Sequence, residues 1–69
     1  MTNAELKEAL LNKKPVIVTT NDGTELHCRS VYGIIYRASK GNVSVSAEVL
    51  DKSGNCVYIA DPKQIRYEV

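Results

Sequence analysis

The hydrophobic period of this chain changes once, at Pro15, and does not change back. Before the proline, Leu6, Ala9 and Leu10 fall at i, i+3 and i+4, which makes one apolar stripe along a helix. Thr2 followed three residues later by Glu5 fits a capping box, each side chain satisfying a free backbone donor of the first turn. Asn12 suits the left-handed residue that closes a helix, and Pro15 pushes Lys14 out of the helical region, so a helix is expected over residues 1–14. After the proline, apolar residues recur at every second position, broken only by short turn-forming clusters. A single switch of this kind points to one helix followed by an antiparallel sheet.

The turn clusters divide residues 15–69 into five strands. Val16 to Thr20 is β-branched after its proline and ends at Asn21-Asp22-Gly23, a triplet that supplies the positive φ angles of a tight hairpin. The return strand starts at Thr24 and is expected to run to about Arg37. Its parity is not constant: Leu26 and Cys28 share one face, whereas Val31 and Ile35 fall on the other. A bulge or bend between Ser30 and Gly33 reconciles the two halves, with Gly33 the natural place for it. Ala38 to Asn42 forms a second turn, and Val43, Val45, Ala47 and Val49 then alternate with Ser44, Ser46 and Glu48 as a half-buried strand. Asp51 to Asn55 forms a third turn before Cys56 to Ala60, where Val57 and Ile59 share a face. Asp61 caps one helical turn with Pro62 at its first position, so a short helical turn spans Asp61–Gln64. Ile65 to Val69 closes as the fifth strand.

The stretch KKPVIVTTNDGTELHCRSV resembles the opening of an Sm-like chain, in which a helix precedes a strand, an Asp-Gly turn and a bent second strand. The ending VYIADPKQIRYEV is similar to the strand–turn–strand closure of that group, a variant of the Src-homology-3-like barrels. The resemblance covers nearly the whole chain and implies a mainly β fold. In it, an N-terminal α-helix (1–14) leads into a five-stranded, strongly bent antiparallel barrel (15–69), all within one domain, 1–69. It is a resemblance of pattern. Ala60-Asp61-Pro62 stands where an Sm-like chain typically carries Arg-Gly for RNA, so the fold is carried over and the RNA-binding residues are not.

Size and charge narrow the function classes. A chain of 69 residues buries about 60% of its unfolded surface. Such a core rarely supplies more than about 3–5 kcal/mol without staples, which raises the expectation of self-association or a bound partner. Nine Lys and Arg against eight Asp and Glu give a net charge of +1, without the basic excess common in phosphate-neutralising proteins. The start of the chain lacks the basic residues and apolar run of a signal peptide, and no run approaches the roughly 20 apolar residues that cross a bilayer. A cytoplasmic chain with reduced cysteines, and no membrane partner, is the expectation.

His27 beside Cys28 looks like a metal or thiol centre, but neighbours on a strand point to opposite faces of the sheet. They cannot hold one ion, and His27, Cys28 and Cys56 are the only soft ligands. The same separation denies Cys28 a neighbouring base. No glycine-rich phosphate loop or paired carboxylates occur, and Asp22, Asp51 and Asp61 are accounted for by turns and a cap. No enzyme activity, metal, cofactor or small-molecule substrate is expected.

The remaining grouping is basic and aromatic: His27, Arg29, Tyr32, Tyr36, Arg37 and Lys40, on and near the second strand. Tyr and Arg are common hot-spot types at protein interfaces, and together they also stack bases and neutralise phosphates. The plainer reading is a solvated strand face. The near-zero charge favours a protein partner or self-association, through these residues or an open edge strand, over RNA or single-stranded DNA. A third reading is a scaffold without separable activity, such as an accessory protein of a phage or mobile element.

Overall fold

The computed structural model describes residues 1–68. Helix α1 (Asn3–Asn12) is followed by strands β1 (Val16–Thr19), β2 (Glu25–Ser39), β3 (Asn42–Asp51) and β4 (Val57–Ala60). A 3-10 turn (Pro62–Gln64) then leads into β5 (Ile65–Tyr67). The strands form one antiparallel sheet in the order β4-β3-β2-β1-β5. The mainly β class, the leading helix and the turn before the last strand are as the sequence implies. The ring is not closed: β4 and β5 end the order and do not pair, so the sheet has two edges where a barrel would have none. The C-terminal part of the expected fifth strand, Val69, lies outside the described residues.

The capping box forms as written, with Thr2 Oγ1 accepting from the Glu5 N–H and Glu5 accepting from the Thr2 N–H at 2.9 Å. The helix ends one residue later than its asparagine suggested. Lys13, not Asn12, takes the left-handed conformation (φ 53°), and its N–H donates to the Ala9 carbonyl. Pro15 then forces the extended backbone on which β1 begins. At the other end, Asp61 caps the 3-10 turn through the Lys63 N–H, and Gln64 answers by accepting from the Asp61 N–H.

Helix α1 lays Leu6 and Ala9 on the sheet, where they meet Val16, Val18, Cys28, Val31, Val49 and Ile65 in one buried cluster. Strand β2 supplies that cluster at two places of opposite parity, Cys28 and Val31, and the register of β2 against β3 shifts between Cys28 and Ser30 to permit it. A second shift, between Val31 and Gly33, restores the first parity. The expected single bend is therefore two, and Ile34 takes the core side in place of Ile35. At Gly33 a Cβ would meet the Glu48 carboxylate, which the absent side chain leaves room for beside the second shift.

From Ile35 and Ser46 outward β2 and β3 pair only with each other. Strand β1 covers β2 no further than Cys28, and β4 covers β3 only from Ala47 to Leu50. The outer part of the hairpin is a two-stranded ribbon, and Tyr36 and Val43 on its core-side face are exposed.

Two consequences are measurable. Leu6→Ala is expected to remove about 2–5 kcal/mol in urea unfolding, against a total of about 3–5 kcal/mol for a core this small; Leu11→Ala, at an 80% exposed position, should change stability by about 0.5 kcal/mol or less. The second concerns acid. Hydrogen bonds from Thr20 and then Thr24 hold the Asp22 carboxyl down at about 2, and Asp51 is lowered mainly by Ser53. A carboxyl whose folded value is depressed stabilises the fold above its unfolded value, here 3.8 for Asp22, and loses that contribution as pH falls toward 2. Carboxyl NMR titration should find Asp22 ionised well below its ordinary 3.8, and Thr20→Val should raise it part of the way, the Thr24 N–H bond remaining.

Candidate functional site

The strand faces separate the sequence-selected residues. His27 pairs with Ile17 on the outer face, while Cys28 beside it is fully buried. The histidine's partner is a carboxylate: its Nδ1 lies 3.7 Å from Glu68 Oε2. Arg66 pairs with Glu25 on the same outer face. Tyr36 belongs to the core-side face of the ribbon, where it opposes Val45. Arg37, one residue on, points the other way opposite Ser44, whose hydroxyl donates to the Arg37 carbonyl at 3.4 Å. Lys40 sits at the ribbon tip in a left-handed conformation (φ 50°). These six residues do not make one surface.

Only Arg29 and Tyr32 are brought together, and the double register shift is the cause. They flank Ser30 and Val31, and this bulged segment forms one wall of a groove of about 470 Å³. Leu10 and Lys13 at the end of α1 form a second wall, and Leu50 of β3 completes it. The Arg29 guanidinium lies across the turn between β3 and β4 and donates to the Lys52 carbonyl at 2.9 Å. Gly54 allows this approach, because a Cβ there would stand 3.0 Å from the Arg29 Nη1 and φ is +78°. Lys13, Leu10 and Leu50 were not apparent as site residues in the sequence, because their meeting depends on where the helix end docks on the bulge.

The second feature is an edge. Cys56 accepts at 2.9 Å from the Asp51 N–H. Antiparallel pairs alternate between bonded and non-bonded, so Tyr58 and Ala60 bond to β3 while the N–H and C=O of Val57 and Ile59 face away from it. The side chains there are apolar and uncovered: Val57, Tyr58 and Ile59 are 42%, 41% and 62% exposed. The expected shared face of Val57 and Ile59 is the outer one, opposite Glu48 and Leu50.

The other edge is engaged at Ile65. Glu68 donates to the Pro15 carbonyl, which by the same alternation turns the backbone of Ile65 and Tyr67 outward from β1. The Ile65 N–H is taken by the Pro62 carbonyl and the Ile65 carbonyl by the Met1 nitrogen at 3.2 Å. Tyr67 reaches back to donate to the Glu5 carbonyl at 3.3 Å.

No group of three metal-ligating side chains occurs among the described residues, and no helix there is long and apolar enough to cross a membrane. No protein-family model matches the chain, and neither a curated protein nor a solved structure matches it.

The two cysteines differ in burial and therefore in reactivity. Cys28 is fully buried, and burial first, then the charge of Asp51, pushes its thiol up from the usual value. Cys56 is exposed. Because the thiolate is the reacting species, a thiol reagent at neutral pH should modify one cysteine per native chain. Both should react in denaturant, and Cys56→Ser should abolish the fast phase alone.

Proposed function

We propose that this protein is a non-catalytic assembly module that joins a second copy of itself through the free edge of β4. The observation that carries the reading is the row Val57, Tyr58 and Ile59: an apolar edge strand with outward backbone groups and exposed side chains. Edge strands are ordinarily blunted by lysine, proline, a bulge or a covering segment. Val57–Ala60 contains neither lysine nor proline, and its register with β3 is regular over all four residues.

The contrast with β5 selects the partner edge. A head-to-tail assembly needs β5 of the next copy, whose Ile65 backbone is already engaged. The symmetric alternative places β4 against β4 of the second copy about a two-fold axis. Outward groups must meet outward groups, so Val57 lies opposite the second copy's Ile59 and Tyr58 opposite its Tyr58. Each of the two Val57–Ile59 pairs exchanges two backbone hydrogen bonds. The outer face then gains a continuous Val–Ile cluster, and the tyrosines meet at the closer, non-bonded spacing where aromatic pairs contribute about 0.2–1 kcal/mol. A core that supplies only a few kcal/mol gains from such burial.

Binding of RNA or single-stranded DNA remains the second reading. Its support is the ribbon, where Arg37 and Lys40 are the only charged residues between Gly33 and Ala47. The opposite orientations of Tyr36 and Arg37 weigh against it, since a stacking strand and its phosphates would need both on one side.

Sedimentation equilibrium should show a concentration-dependent dimer for the wild-type chain. Ile59→Lys should weaken it at least tenfold with unchanged circular dichroism. Ile59→Pro should do the same, because the lost N–H faces outward and the ladder to β3 survives. Tyr58→Pro, which removes a ladder bond, should instead destabilise the monomer. A wild-type chain that stays monomeric at millimolar concentration overturns the proposal.

A further inference from the structure

We infer that the groove between the end of α1 and the bulged segment of β2 is a binding site for a small apolar monocarboxylate, of the medium-chain fatty acid class. Its volume, about 470 Å³, lies within the range of roughly 300–1,000 Å³ typical of small-molecule sites. Leu10, Val31 and Leu50 give it an apolar floor, and Lys13 and Arg29 stand on it as cations with no carboxylate among the lining residues. Such a lining asks for a ligand with an apolar body and one anionic head.

The charges are available. Lys14, His27 and Arg66 each lie within ion-pair distance of a carboxylate, whereas Lys13 and Arg29 have no such partner among the described residues. Asp51 is near enough for Arg29 to help lower its carboxyl, but its hydrogen bonds go to the Ser53 hydroxyl at 2.6 Å and the Ser53 N–H at 3.3 Å, so it makes no ion pair with the guanidinium. The guanidinium of Arg29 spends one donor on the Lys52 carbonyl, which holds the side chain against the turn and leaves others of its five N–H groups for a carboxylate. A head group meeting a side chain already fixed in place loses less to ordering than one meeting a free arginine.

The backbone at the groove is shaped by the bulges that serve the core. Two register shifts fall within the few residues that line it, each leaving ladder positions unpaired. The shifts set Val31 into the floor while Arg29 and Tyr32 stay at the rim, with Tyr32 60% exposed. At the facing wall the left-handed position that usually favours glycine or asparagine holds Lys13 instead, although Asn12 precedes it. That placement sets Lys13 in the lining of the groove. Inorganic phosphate would satisfy the cations and leave the floor wet, and a neutral alcohol would cover the floor and leave the cations unmatched. The carboxylate with an apolar tail uses both.

Titration of the ¹⁵N-labelled protein with decanoate, decanol, decyltrimethylammonium and inorganic phosphate tests the site. Decanoate should bind saturably, with the largest amide shifts at Leu10, Ser30, Val31 and Leu50, and at least tenfold more tightly than decanol. Decyltrimethylammonium and phosphate should leave those amides in place. Arg29→Gln and Lys13→Asn should each weaken decanoate at least fivefold, and asparagine tolerates the left-handed backbone, so the second variant keeps the fold. Equal affinity for decanol, shifts centred on Val57–Ile59, or unchanged affinity in both variants overturns the assignment.

Discussion

The parity of β2 is the constraint on which the rest of the molecule depends. A strand alternates its side chains strictly, so one that must face the same core from Leu26 to Ile34 cannot keep a constant register when its apolar residues change parity. Leu26 and Cys28 face the core together, Val31 takes the opposite parity, and Ile34 returns to the first. Two shifts between Cys28 and Gly33 resolve the conflict and bend the strand. Val31 thereby reaches Leu6 and Val49 in the core, and the bulged backbone makes room for the groove beside it. The same passage also separates the body of the sheet from the ribbon, since β1 leaves β2 just before the first shift.

How much of this was legible in the sequence follows from how local each cause is. The capping box at Thr2 and Glu5, the Asn21-Asp22-Gly23 turn and the Asp61-Pro62 start of the 3-10 turn are decided within four residues, and their signals were plain. The alternation Val43–Val49 and the opposition of His27 and Cys28 are equally local. The choice between Lys13 and Asn12 for the left-handed position was not legible, because it depends on where α1 settles on β2. Nor was the second shift, since Ile34 and Ile35 are equivalent by side chain and only the neighbouring strand decides between them. The groove joins residues from three separate parts of the chain. Selecting residues by type along β2 found Arg29 and Tyr32 but also gathered Tyr36, Arg37 and Lys40, which strand geometry sends to different sides.

The unclosed sheet gives the two edges different chemistry. At β5 the edge is short, and its Ile65 backbone is engaged by the 3-10 turn and by the Met1 nitrogen. At β4 the backbone groups of Val57 and Ile59 have no hydrogen-bond partner among the described residues, and their side chains extend an apolar surface outward from Leu50. A small domain leaves much apolar area exposed in any case. Three consecutive exposed apolar residues on an edge differ from scattered ones, because backbone and side chains there can be satisfied by the same partner.

Groove and edge are also physically continuous. Leu50 lines the groove and stands opposite Val57 in the β3–β4 ladder. Arg29, at the groove rim, holds the Lys52 carbonyl in the turn that aims β4, and Gly54 in that turn leaves space for the guanidinium. An occupant of the groove would draw on the same guanidinium that steadies the turn, and through it on the direction in which β4 presents its free edge. The protein therefore has no separate frame on which a site is mounted. The bulges that complete its core also form the groove wall, and the turn that ends β3 both fixes the arginine and positions the edge.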